Sequence, residues 1–332
     1  MPKAELHLHV EGTLEPELAL ALAERNRVEL PWKDVEAMRA ARSFHDLQDF
    51  LDSYYAAASV LRTANDFHDL AWAYLQRAAE ESVRRAEIFF DPLTHVARGV
   101  PVARVVDGLH QACERAGREL GVSAALIPCF LRHRTEAEAF TTLEGLLPHR
   151  GRFIGVGLDS SELGHPPRDF ARVFALCREL GLHVVAHAGE EGPPEYVTEA
   201  LDLLGAERID HGVRAERDPA LLTRLARDRV PLTVCPLSNL RLRVFETLAE
   251  HPLRRLLDAG VCATVNSDDP AWFGGYVLEN LLGSFEALDL DARHARALAR
   301  NGFEACFADP GEQTLWLAEV DAFFAREADA AG

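Results

Sequence analysis

Two hydrophobic patterns alternate along the chain. One is a short apolar, often β-branched run that ends in polar residues. The other is an amphipathic Ala/Leu/Arg/Glu stretch with apolar residues three and four apart. The first pattern occurs at 4–10, 85–92, 122–133, 153–162, 182–190, 208–213, 231–239 and 262–270. Several of these runs are almost wholly apolar before their last residues, which is how strands buried on both faces of a parallel sheet read. Helical spacing is clearest at 69–85, 101–120, 195–205 and 219–228. Eight strands alternating with helices predict an α/β fold, a (β/α)8 TIM barrel, over a single domain 1–332. An open doubly wound sheet is the alternative, but the first strand carries no glycine-rich phosphate turn. Residues 14–83 are too long for one crossover. They predict three helices, at 15–26, 46–61 and 66–82, inserted between strands one and two and placed to act as a lid.

Composition narrows the function. Hydrophobic residues make up 48% of 332, enough for one large core, and the net charge of −18 lacks the basic footprint that nucleic acid requires. It also disfavours an anionic membrane surface, and no apolar run is long enough to span a bilayer. The six cysteines form no C-x-x-C pair and read as buried thiols in a reducing compartment. No basic and apolar leader opens the chain. The expectation is a cytoplasmic enzyme for a small molecule, acting alone or as a homo-oligomer.

In a barrel the chemistry sits at the carboxyl ends of the strands, and here the unusual polar residues collect there. In ELHLHVEG (5–12), alternation puts His7 and His9 on one face and Leu8 and Val10 on the other. The fifth strand ends HAGE, with His187 and Glu190; the sixth ends DHG, with His211; the eighth ends SDDP, with Asp268 and Asp269. Taken singly, each fits a duller role: a hydrogen-bonded core histidine, or a helix cap before Pro270. Four such clusters on four strand ends point to one mouth. Three histidines and an aspartate suit one Zn2+ with an open position for water, and His7, His9, His187 and Asp268 are the expected ligands. Such an ion lowers the pKa of bound water towards ~7. The fourth strand ends GLDSSE, without the lysine that bridges two metals in related barrels, so one ion per chain is expected.

Together HLHVEG, HAGE, DHGV and NSDDP resemble the adenosine/adenine deaminase family of the metal-dependent amidohydrolases, in order and spacing, from residue 3 to about residue 300. GLDSSELGHPP, CPLSNLRL and NSDDPAWFGGY resemble its adenine deaminase branch. The resemblance implies hydrolytic removal of the C6 amino group of a purine. Glu190 would protonate ring N1, His211 would orient the attacking water, and Asp269 would hydrogen-bond N7. It also implies substrate contacts at Glu11, which would fill sugar space, and at Ser161 or Glu162, which would meet the N3/N9 side. Ser160 and Ser161 also fit a capped turn. Trp272 and Phe273 fit either the pocket floor or packing under the rim. The zinc signature of nucleic-acid base deaminases, H-x-E with P-C-x-x-C, is absent. The implied reaction is adenine to hypoxanthine and ammonia, in purine salvage. The alternatives are adenosine, 6-aminodeoxyfutalosine or an N6-substituted adenine as substrate, or a barrel without catalysis.

Overall fold

A computed structural model describes residues 1–42, 44 and 47–331. The expected start of the second insertion helix, residue 46, and the last residue of the expected domain, 332, lie outside them. Eight parallel strands follow one another around the sheet in chain order. They are β1 (Lys3–Glu5), β2 (Val83–Phe90), β3 (Ser123–Leu131), β4 (Gly155–Asp159), β5 (His183–Ala188), β6 (Arg208–His211), β7 (Leu232–Val234) and β8 (Ala263–Val265). The sheet closes into the expected barrel through the segment after β1. There Asp268 N–H donates to His7 O (3.1 Å), and His9 N–H donates to Asp268 O (2.9 Å).

The first strand is shorter than its sequence pattern predicts. Its ladder ends at Glu5, and residues 7–10 are held by isolated bridges, Leu8 to Asp268 and His9 to Phe89. The predicted alternation survives. Leu8 and Val10 are fully buried in the core between barrel and helices, and His7 and His9 turn into the barrel mouth. The other strands also stop short of their predicted ends, because their terminal polar residues leave the sheet to build that mouth.

The insertion holds helices Pro16–Asn26, Leu47–Ala58 and Ala64–Glu80, close to the three expected, and a further short one at Val35–Ala40. Thr63 and Asp66 cap Ala64–Glu80 reciprocally, so its start is fixed by local sequence. Phe50, Leu51, Tyr54 and Tyr55 of Leu47–Ala58 reach the cavity at the mouth. Trp272 is not at the cavity wall. It packs under the rim against Phe44, Phe50 and Tyr54, while Phe273 does line the cavity. All six cysteines are free and buried.

Candidate active site

The strand ends bend sharply to deliver their side chains. Ser160, His211 and Asp268 adopt positive φ of 77°, 62° and 63°. For residues with a Cβ this is a costly conformation that surrounding structure must enforce, and it concentrates at functional sites. Gly189 (φ 72°) makes the matching turn after β5, where a Cβ would also press Val197 at 2.7 Å. Gly12 is required for space: a Cβ there would lie 1.9 Å from Asp269 Oδ1.

His7, His9, His187 and Asp268 converge. His9 Nε2 is 3.1 Å from His187 Nε2; Asp268 Oδ1 is 3.4 Å from His7 Nε2 and 3.5 Å from His9 Nε2. Donors bound to one zinc at ~2.05 Å in a tetrahedron stand ~3.3 Å apart. Each imidazole keeps an acceptor behind its Nδ1. His7 meets Thr233 O and Oγ1 (3.2 and 3.1 Å), His9 meets Asp159 Oδ2 (3.6 Å), and His187 meets Asp210 Oδ2 (3.4 Å). That arrangement holds the proton on Nδ1 and turns the Nε2 lone pair inward, as metal ligation requires. His7 Nε2 is buried with no hydrogen-bond partner. The ring of Phe89 lies beneath, 5.2 Å from both His7 and His9. The donor set therefore fits a metal ion.

His211 is oriented the other way. Leu253 N–H donates to His251 Nδ1 (3.2 Å), leaving the His251 proton on Nε2, which faces Asn239 Oδ1 (3.2 Å). The Asn239 amide nitrogen then donates to Glu190 Oε1 (3.1 Å) and to His211 Nδ1 (3.3 Å). His211 accordingly carries its proton on Nε2, 3.5 Å from Glu190 Oε2 and 3.8 Å from Asp268 Oδ2. Although His211 could join His7, His187 and Asp268 around an ion by distance alone, this tautomer makes it a hydrogen-bond donor and not a ligand.

Glu190, Asp268, Asp269, His211 and Ser161 all line one cavity with His9 and His187. Burial, then Asp268, Glu191 and Glu162, push the Glu190 carboxyl well above the ordinary range. Burial and Asp268 do the same to Asp269, whose Oδ1 is buried without a partner. Two expected substrate contacts are corrected. Glu162 turns away from the cavity and accepts the backbone N–H groups of Gly189, Glu190, Glu191 and Gly192 at 2.6, 3.0, 2.9 and 2.8 Å. Four donors converging on one carboxylate fix the turn that carries Glu190. Glu11 likewise does not reach the cavity wall. Its Oε1 is taken by His95 Nε2 (2.7 Å) and Asp91 N–H (3.1 Å).

The sequence reading missed Asp91, Asp159, Asp210, Asn239 and His251. Asp91 and Asp159 had a readable signal, since each is an acid ending an apolar strand, as Asp268 is. Asp210 stands out as an acid inside RIDH. Asn239 and His251 carry no local signal, because their meaning lies in contacts across the fold.

Known proteins share this architecture. The adenosine deaminase family profile matches residues 2–323. The chain is 61% identical to adenine deaminase from Trichlorobacter lovleyi, covering 99% of this chain and 95% of that one. It is 62% identical to adenine deaminase from Cupriavidus necator, covering 97% and 92%. The crystal structure of adenine deaminase from Arthrobacter aurescens superposes with a TM-score of 0.96 at 48% identity, over 98% of this chain and 99% of that one. An amidohydrolase from Burkholderia ambifaria, solved with zinc bound, superposes with a TM-score of 0.92 at 28% identity, over 99% and 92%. With the family profile spanning nearly the whole chain and relatives above 60% identity end to end, the protein belongs to the adenosine deaminase family.

Proposed function

We propose that the chain hydrolyses the C6 amino group of adenine, giving hypoxanthine and ammonia, with one zinc ion held by His7, His9, His187 and Asp268. The observation that carries this reading is the opposed placement of partners: acceptor oxygens behind the Nδ1 of His7, His9 and His187, which turn three Nε2 lone pairs inward, and the Asn239 amide donor behind the Nδ1 of His211, which turns its Nε2–H inward. The similarity to proteins named adenine deaminase, at 61–62% identity, supports adenine as substrate. When bound, the ion supplies a Lewis acid that lowers the pKa of water. Glu190, kept protonated by its surroundings, gives a proton to N1 and makes C6 more electrophilic. Asp268 accepts a hydrogen bond from the attacking water, and the His211 Nε2–H stabilises the charge that develops on it. Asp269 pairs with N7, and Ser161 borders the base from the end of β4. The reaction serves purine salvage in the cytoplasm.

Ammonia release from adenine, adenosine, 6-aminodeoxyfutalosine and an N6-alkyl adenine, measured side by side on zinc-loaded protein, tests the reading. Adenine should lead by orders of magnitude. Preference for a nucleoside would keep the reaction class and reject the substrate.

A further inference from the structure

Asp91, the residue after β2, lies inside the cavity with an unmet bonding capacity. It is 5% exposed, lines the same cavity as Glu190 and Asp269, and its Oδ1 has no hydrogen-bond partner. Ordinary explanations fail. Asp91 stands at the N-cap position of helix Pro92–Val96, yet its side chain caps nothing. No arginine or lysine pairs with it among the described residues. The neighbouring acid Asp159, whose Oδ2 lies behind His9 Nδ1 at 3.6 Å, faces Asp91 as a second acid; the pair can share at most one proton, and Oδ1 of each still has no partner. A buried carboxylate oxygen left unpaired is costly and implies a donor that arrives from outside.

The placement of the acids says which donor. Asp91 N–H is held by Glu11 (3.1 Å), whose chain neighbour Gly12 packs against Asp269, whereas Glu190 rides on the turn held by Glu162 and faces Asn239 and His211. The cavity therefore has two acidic sides, and Asp91 shares that of Asp269. On the reading above, Glu190 serves the pyrimidine ring at N1 and Asp269 the imidazole ring at N7. A free purine has one further donor on the imidazole ring, the N9–H, which a nucleoside has replaced by a sugar. We propose that Asp91 accepts the imidazole-ring N9–H of a free purine base and is the residue that sets the preference for base over nucleoside. The backbone N–H of Asp91, tied to Glu11 and through it to His95, holds the carboxylate in place. Glu11 thus acts behind the wall and not in the sugar space. A 9-substituted purine would meet Asp91 with carbon, leaving the buried carboxylate unpaired, and rejection of a substrate lacking a required donor is strong.

This inference rests on the free-base reading, and one experiment separates the two. The zinc-loaded wild type, Asp91→Asn and Asp91→Ala are compared on adenine and 9-methyladenine, with hypoxanthine and 9-methylhypoxanthine as inhibitors and with metal content measured on each. Wild type should favour the N9–H member of each pair. Both variants should lose roughly 10- to 100-fold in kcat/KM on adenine. They should bind hypoxanthine correspondingly less well, keep their zinc, and change little with the methylated partners, so that discrimination collapses. Asp91→Asn is nearly isosteric and covers the case in which Asp91→Ala does not fold. Equal losses on both members of a pair, or unchanged discrimination, would overturn the assignment while leaving the free-base reading intact. Two metal ions per wild-type chain falling to one in Asp91→Asn would also overturn it, since Asp91, Asp159 and His9 would then be holding a cation. A wild type that prefers 9-methyladenine rejects the free-base reading, and this inference with it.

Discussion

The barrel encloses two clusters of buried charge, one toward each end of its strands, and they are built on opposite principles. Toward the amino-terminal ends, Glu87 receives Arg85 Nε and Nη2 (3.1 and 3.0 Å), Arg208 Nη1 (2.6 Å) and Phe307 N–H (2.6 Å). Burial pushes its carboxyl up, but Arg208 and then Arg85 more than reverse this, and it stays below its ordinary range. At the mouth no arginine or lysine side chain pairs with Glu190, Asp91, Asp268 or Asp269 among the described residues. Acids press on acids: burial, joined by Asp268 at Glu190 and Asp269 and by Asp159 at Asp91, raises all three carboxyls. Buried oxygens on Asp91, Asp159 and Asp269 have no hydrogen-bond partner, whereas in the lower cluster, among the described residues, only Arg208 Nε is so placed. The lower cluster completes itself within the chain, and the upper one is completed by what binds there. Conserving charge is therefore a matter of stability below and of chemistry above.

The sharpest break between the two comes from Glu190→Gln. Turnover should fall by roughly 10²–10⁴-fold through loss of proton transfer, with zinc content unchanged and the melting temperature little changed, because the protonated Glu190 is already neutral. Retained turnover would reject the N1-protonation role. Arg208→Met is the converse. Removing Arg208 takes away the only partner of Glu87 Oε2 among the described residues, leaves Arg85 as its one cation, and should cost about 3–5 kcal/mol in denaturant unfolding. The folded fraction should keep its zinc and its kcat; a large loss of kcat would mean that the lower cluster also shapes the mouth.

Glu162→Gln tests the border between the two. Glu162 is satisfied like the lower cluster, yet what it satisfies is the turn carrying Glu190. An amide offers one acceptor oxygen and turns an NH2 towards backbone donors, so at least the N–H on one of the two carboxylate oxygens, Gly189 on Oε1 or the three of residues 190–192 on Oε2, loses its partner. The expected result is a loss of about 10- to 100-fold in kcat, with KM for adenine changed less and zinc retained. A change in KM alone would restore the direct substrate contact that the sequence suggested.

How much of this was legible in sequence follows from the same contrast. The barrel and His7, His9, His187, Glu190, His211, Asp268 and Asp269 could be read because each is a polar residue breaking the end of an apolar run. That signal is local. Glu162 and Glu11 came instead from the family resemblance, which gives a position without a partner: which way a side chain leaves a strand end depends on the turn. At Ser160, His211 and Asp268 that turn uses positive φ that nothing in those residue types announces. The pairing of Glu87 with Arg208 spans 121 positions, and that of Asn239 with Glu190 spans 49; neither has a periodicity to betray it. The lone glycine that backs Asp269, Gly12, reads from sequence as an ordinary turn residue.

His251 gives the smallest expected effect and joins the two principles in one residue. It is 1% exposed, and burial, with Arg255 adding to it, lowers its imidazole to about 3. An unfolded histidine titrates near 6.5, so the unfolded chain binds the proton first as pH falls. The stability this group contributes is complete above about 6.5 and is lost progressively as pH drops from there towards 3. Between pH 7 and pH 5 the loss amounts to about 2 kcal/mol for one such site. In His251→Gln that pH-dependent loss should disappear, so the difference between variant and wild-type unfolding free energies should shift by about 2 kcal/mol between the two pH values, the other groups cancelling. The glutamine amide can still donate to Asn239, so this variant should keep most of its turnover. His251→Phe should not: it leaves Asn239 Oδ1 unmatched and frees the amide to reverse, presenting oxygen to Glu190 and His211. A kcat loss of about tenfold in His251→Phe, recovered in His251→Gln, would show that the imidazole is held neutral to aim the catalytic acid. Equal kcat in both variants would leave it a packing residue, with its titration a matter of stability alone.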